Sequence, residues 1–483
     1  MMGAHAERGG LFYNAAGVTP LFDAGSALSV NNGFLMAGAA GTLVGGTLGG
    51  NIISGIQDGG PGPIFQSAGN FGAIFACSDN KIYKLLFSAG VPSGSATSAL
   101  TITSALTGDI AVFTDSSNVA RLFYRRTTHI GRYNPSGTVQ EDTWLATTDY
   151  FGAMHVHYGL NKIIFGNGGG KIGVIHSDMT STLAALTFDG QSFATAIGDD
   201  GIYAIIAITK NIGADTTALF ESQILIWDGS TTTGFLRNYP ITDPFIYAIR
   251  KTPTGVFAFG STGIWQVAFD GVRKVFSHSP GVYTLAGTTG PHYGNATSFF
   301  SDALLWGGQV GSSTARAVKS LGKLDSAALS AYLHPILGTA STNITYVDGQ
   351  LIKGQIFIGD STPQLKYYPI GSGTPQTSVS AQTVYFQLPI KYNITHVDVV
   401  FGEPLASGDS MSIQLKSDED TAVTPATALA ATYADDGAIR RKRVKVINYI
   451  AESQLSLVIN FVAGAVKIKR IDIYGSPKAD AAD

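Results

Sequence analysis

FIYAIRKTPTGVFAFGSTGIWQVAFDG, residues 245–271, decides the fold. It reads as an apolar strand, a Gly-containing turn, and further apolar strands that end at the Asp270-Gly271 turn. Short runs of β-branched and aromatic residues between Gly- and Asp-bearing turns predict antiparallel hairpins. The same cycle recurs along the chain. It appears as FGAIFACSDNKIYKLLF from Phe71, DIAVFTDSSNVARLFY from Asp109 and YFGAMHVHYGLNKIIFGNGGGKIGVI from Tyr150. GIYAIIAITKN from Gly201 with SQILIWDG from Ser222, ATSFFSDALLWGG from Ala296 and NITYVDGQLIKGQIFIGDSTPQLKYYPIG from Asn343 complete the set. With Ile74, Ile110, Met154, Tyr203, Tyr247, Phe299 and Ile344 as landmarks, the steps are 36, 44, 49, 44, 52 and 45 residues. A repeat of roughly 40–50 residues built from short strands predicts a β-propeller of about seven blades, in an all-β chain.

The organisation around the repeats follows from composition. Residues 1–63 form a Gly-rich N-terminal arm that ends at GGPGP and could lend the strand that closes the ring. Residues 64–373 are the propeller, interrupted by DSAALSAYLHPIL at 325–337, which is expected to be a short capped helix. Residues 374–476 read as a β-sandwich, jelly-roll-like, with alternating strands such as THVDVVF, SMSIQLK, RVKVINY and KIKRIDIYG. PKADAAD at 477–483 is a polar tail.

Charged residues are only 13% of the 483, with a net charge of −3. The basic cluster Arg440, Arg441, Lys442, Arg443 and Lys445 reads as a solvated strand end, because nucleic-acid binding needs a broader positive footprint. A single cysteine, Cys77, excludes a disulfide framework and reads as a buried thiol. No basic and apolar leader opens the chain, so no secretion signal is expected. Ala24 to Gln57 holds no charge but nine glycines, which disfavours a membrane helix and suits an arm packed on a neighbour. The apolar residues offered for that interface are Leu35, Met36, Leu43, Val44, Leu48, Ile52 and Ile53.

Catalytic and metal-binding patterns are weak. His155 and His157, two residues apart on a strand, share a face and would need His129 or His176 as a third ligand, but no supporting motif accompanies them. Asp199, Asp200 and Asp115 are the carboxylates available for glycoside chemistry, yet Asp199-Asp200-Gly201 reads as a turn. Arg125, Arg126 and Arg132 crowd one repeat and do not make the dispersed triad of a sialidase. GNGGGKIG at 166–173 lies between two strands and reads as a hairpin rather than a phosphate loop. No catalytic residue, metal ligand or cofactor is therefore expected. Tyr367, Tyr368, Tyr385 and Tyr392, near the junction with the sandwich, are the residues that could stack on a sugar.

Blades of the type TPTGVFAFGSTGIWQVAFDG, an arm of the type GLFYNAAGVTPLF and the ending KIKRIDIYG resemble those of propeller-bearing virion proteins of tailed bacteriophages, components of tail, neck or nozzle. The resemblance implies a non-enzymatic structural protein, assembled in host cytoplasm into the virion. Its partners would be other virion proteins and copies of itself in a symmetric ring, with host surface glycan as a further partner. The alternative is a carbohydrate- or receptor-binding propeller with a lectin-like sandwich, which as a glycan-active enzyme would need two close carboxylates in a pocket.

Overall fold

The computed structural model describes residues 2–5, 12–15, 18–19, 35–37, 42–44, 48–58, 63–66, 71–148, 152–211, 220–231, 234–277, 296–300, 303–309, 316–322, 330–334, 344–351, 355–360, 364–369, 379–383, 386–388, 390–417, 422–423, 440–464 and 466–478. Among them there is no α-helix, and none of the membrane-spanning kind. The chain divides into two compact units, residues 43–316 with 339–367, and residues 1–42 with 317–338 and 368–483.

Seven four-stranded antiparallel sheets are formed by the described residues. Their first strands are Ile52–Asp58, Leu106–Thr114, Met154–His157, Ser192–Asp199, Ile246–Thr252, Thr297–Phe300 and Ile344–Asp348. In the first unit each of these strands packs against the next in that order, and Ile344–Asp348 returns to Ile52–Asp58. Apolar clusters fill the spaces between consecutive sheets. One joins Phe113 and Phe123 to Ile163 and Phe165, and the next joins Ile164 and Val174 to Leu225 and Trp227. A cluster containing Phe75, Tyr346 and Phe357 links the seventh sheet back to the first.

Burial within a sheet explains the sequence pattern. Second strands such as Gly72–Cys77 are buried at every position, because a neighbouring sheet covers each face. Such strands read as uninterrupted apolar runs rather than as alternation. The fourth strand Val139–Ala146 has no buried residue, and Val91–Thr101 and Ser181–Thr187 bury only two residues each.

Two expectations are corrected here. The first sheet starts inside the supposed arm, at Ile52–Asp58, whereas the two residues Thr42–Leu43 agree with the strand that the arm is expected to lend, as the last strand of the seventh sheet beside Leu365–Pro369. The Val44 N–H donates to the Leu365 carbonyl at 2.9 Å. Where a helix is expected over 325–337, Ser330–His334 is a strand paired with Arg316–Gly322. Ladder pairing outweighs the modest helix preference of its Ala and Leu residues.

The second unit contains two six-stranded sheets. In one, Tyr392–Phe401 lies between Arg441–Ala451 and Lys467–Pro477. In the other, Gln454–Ala463 lies between Val379–Thr383 and Ser410–Ser417. Val397, Val399, Ile471 and Ile473 of the first sheet share one buried cluster with Ile413, Leu415, Leu457 and Ile459 of the second. N-terminal residues complete both sheets. Met2–His5 and Leu35–Ala37 pair with Lys467–Pro477, and Phe12–Ala15 pairs with Val379–Thr383.

Candidate functional site

The first strands of the seven sheets carry polar side chains into an otherwise apolar unit, and these side chains join one sheet to the next. The Ser54 hydroxyl accepts from the Ile110 N–H at 3.2 Å, and the Asp109 carboxylate accepts from the Met154 N–H at 3.0 Å. His155 Nε2 meets Asp199 Oδ2 at 2.5 Å, and Lys251 donates to Asp199 Oδ1 at 3.3 Å. Arg250 Nε donates to the Thr297 carbonyl at 3.0 Å, and the Ser298 hydroxyl donates to Asp348 at 3.4 Å. At the seventh-to-first junction a Cβ on Gly55 would fall 2.4 Å from the Tyr346 hydroxyl, so only glycine admits that ring. Gly108 and Gly152 meet in the same way, with a Gly108 Cβ landing 2.3 Å from the Gly152 carbonyl.

Electrostatics show how these groups are held. Burial pushes the Asp348 carboxyl above its ordinary value, although the Gln350 N–H and Tyr346 hydroxyl pull the other way. The same burial lowers the Arg250 guanidinium, against the attraction of Asp109 and Asp348. For Asp199 burial is outweighed by His155 and Lys251, which hold the carboxyl down at about 2. Since the ordinary carboxyl titrates near 4, the stability this pair contributes is complete above about pH 4 and is lost as pH falls toward 2.

His157 is fully buried, and its Nδ1 accepts from the Leu160 N–H at 3.2 Å. Burial lowers its pKa more than Asp199 raises it, so the folded state holds neutral imidazole. The unfolded chain takes up a proton near pH 6.5 and the folded chain does so only at lower pH, so stability falls as pH drops below about 6.5. His157→Gln is expected to flatten that acid limb in chemical-denaturation midpoints measured from pH 7.5 to 5. An unchanged slope would remove His157 from the account.

Apart from His155 and Asp199, which meet across two sheets, the residues singled out from the sequence do not converge. His129 bonds to Thr128 and His176 to Thr182, and no group of three metal-ligating side chains exists among the described residues. Asp200 caps its own turn through the Ile202 and Tyr203 N–H groups, and Asp115 does the same for Ser117 and Val119. Arg125 is buried under the Phe165 ring, Arg126 binds Ser104, and Arg132 pairs with Glu141. GNGGGKIG is a hairpin in which Gly168, Gly169 and Gly170 all have positive φ. Cys77 is buried, which pushes its thiol up.

Tyr367 packs on Phe357 in the first unit, while Tyr392 packs on the core of the second. Tyr368 lies on the strand Leu365–Pro369, and Tyr385 falls outside the described residues. Of the arm residues, Val44, Leu48, Ile52 and Ile53 are buried in the first unit's own core. Leu43 lies on the seventh sheet's last strand, and Leu35 and Met36 on a strand of the second unit. These strands are paired within the chain.

No protein-family model matches the chain, and no curated protein matches it. Among solved structures it is similar to Raptor of Chaetomium thermophilum, with a TM-score of 0.48 and 13% identity over 70% of this chain. The match spans 30% of that protein's length. At that level the likeness has no bearing on what this chain binds.

A different set of residues emerges at one end of sheets three to five. Tyr158 and Ile202, in the turns after two successive first strands, are 77% and 67% exposed. The two turns touch, since a Cβ on Gly159 would lie 2.5 Å from the Gly201 carbonyl. The Tyr203 and Phe269 rings meet at 5.0 Å, tilted by 30°, and Arg237 lies over the Phe269 ring at 4.9 Å. Phe235 and Phe269 are 40% and 38% exposed. A readable signal was present: large apolar residues in the turns YGLN and DDGIY, where polar ones are the norm.

Proposed function

We propose that the chain is a closed seven-bladed β-propeller with a terminal β-sandwich, acting as a non-enzymatic structural component of a tailed-phage virion. It binds neighbouring virion proteins and copies of itself through the turn face carrying Tyr158, Ile202, Phe235 and Phe269. Tyr158 and Ile202, exposed on two touching turns, are the observation that carries the reading, because large apolar side chains grouped on a folded surface mark an interaction site. The cyclic packing of the seven first strands supports the closed ring. Their polar side chains engage adjacent sheets and brace the disc. The virion assignment draws on the resemblance in blade style and domain order.

Tyr158→Ser combined with Ile202→Ser tests the face. Sedimentation velocity of the double variant is expected to show loss of the assembled species. Its unfolding free energy should stay within about 0.5 kcal/mol of the parent, as for other surface changes. Unaltered assembly of the double variant would refute the assignment of this face.

A further inference from the structure

The second unit carries a separate surface that the assembly face does not use. Arg441, Arg443 and Lys445 alternate outward on Arg441–Ala451, spaced about 6.6–6.8 Å apart as strand geometry dictates. Beneath them Asp398 lies on the neighbouring strand, directly opposite Arg443, and its side chain is fully buried. Arg443 clamps it with Nε at 2.7 Å and Nη2 at 2.9 Å, and Arg441 does so with Nε at 3.0 Å. Arg441 also donates to the Tyr474 hydroxyl at 3.2 Å, and Arg443 lies over the Tyr474 ring at 5.5 Å. On the third strand Arg470 covers the buried Asp472 at 3.0 Å.

The result is a layer of guanidinium groups fixed from below by carboxylates. Half or more of the Arg441 and Arg443 side-chain surface remains exposed, and each guanidinium keeps N–H donors beyond those Asp398 receives. Fixing the rotamers in advance reduces the entropy lost when an oxyanion docks. Counting Arg441, Arg443, Lys445 and Arg470 against Asp398 and Asp472 gives 4 − 2 = +2 on this face.

We propose that this sheet face binds an acidic polysaccharide through the carboxylate or sulfate groups on its sugars. The face is charged at its centre, whereas protein interfaces exclude charge from theirs. Its two built-in carboxylates, its small extent and a chain net charge of −3 weigh against the broad positive footprint that nucleic acid needs.

The test is binding of the full chain to alginate, dextran sulfate, neutral dextran, poly-glutamate and duplex DNA, measured by fluorescence anisotropy or biolayer interferometry at several salt concentrations. Salt-sensitive binding to alginate, to dextran sulfate or to both is expected, and it names the anion. Arg441→Gln with Arg443→Gln should weaken it by about 10-fold or more, while Lys391→Gln, a charge removed elsewhere in the same unit, should leave it unchanged. Asp398→Asn separates a built site from simple attraction. It adds positive charge yet should weaken binding, because the arginines lose their clamp. If that variant fails to fold, Arg443→Lys provides the comparison: it keeps the charge but loses the fork that Asp398 holds, and it should also weaken binding. Absence of binding to either acidic polysaccharide, tighter binding to poly-glutamate or DNA, equal binding to neutral dextran, or stronger binding by a folded Asp398→Asn variant would each overturn the proposal.

Discussion

Replacing Asp243 by alanine is expected to lower the unfolding free energy by about 3–5 kcal/mol, from buried donors left without an acceptor at about 1–3 kcal/mol each together with the cavity opened. Asp243 is 1% exposed. It accepts from the Ser261 hydroxyl at 2.5 Å, the Thr262 N–H at 3.0 Å, the Thr262 hydroxyl at 2.9 Å and the Trp265 indole N–H at 3.3 Å. Alanine leaves the Thr262 backbone donor and the indole buried without a partner, and opens a cavity beside Gly260, whose Cα points at the carboxylate. Asp243→Asn keeps the volume but turns an NH2 group toward N–H donors, so an intermediate loss is expected. Urea unfolding followed by tryptophan fluorescence checks this, with Trp265 a direct reporter. A loss below about 1 kcal/mol for Asp243→Ala would mean that the donors find other partners.

A similar loss, about 3–5 kcal/mol, is expected for Trp227→Ala. Trp227 has no exposed surface and packs with Ile164 and Val174 of the third sheet as well as Ile206 and Leu225 of its own. Its indole N–H donates to the Ser230 carbonyl at 2.8 Å. Truncation therefore loosens the joint between two sheets, not a single hairpin. Hydrogen exchange should then rise in both Lys162–Gly166 and Ala204–Asn211. Exchange confined to the fourth sheet would show that the sheets open independently.

The parts of the fold that were legible in the sequence share one physical property. Gly72–Cys77, Lys162–Gly166 and Ala204–Asn211 are buried on both faces, so each appears as an apolar run between turn residues. Ile52–Asp58 was missed because glycines at 49, 50 and 55 dilute its pattern and GGPGP separates it from its partner. Thr42–Leu43 could not be read at all, because a two-residue strand has no period. Pairing of Met2–His5 with Arg470 to Ile473 joins opposite ends of the chain, which no local pattern encodes.

The binding surfaces divide in the same way. Tyr158 and Ile202 stand out in the sequence as apolar residues in turns, a local signal. The Arg441–Arg443 layer was visible only as a basic strand. Its ordering depends on Asp398 lying opposite Arg443, and register is a property of the folded sheet. His155 and His157 share a strand face as their spacing requires, but Asp199 on the next sheet pairs with His155 and burial isolates His157.

The measurement that tests the central claim most directly is cryo-electron microscopy of the assembly that the full chain forms. The account predicts copies around a symmetry axis, each a closed ring of seven four-stranded sheets latched by residues 42–43, with Tyr158, Ile202, Phe235 and Phe269 buried against a neighbour. A free monomer with that turn face open to solvent, or a ring with another number of sheets, would contradict it.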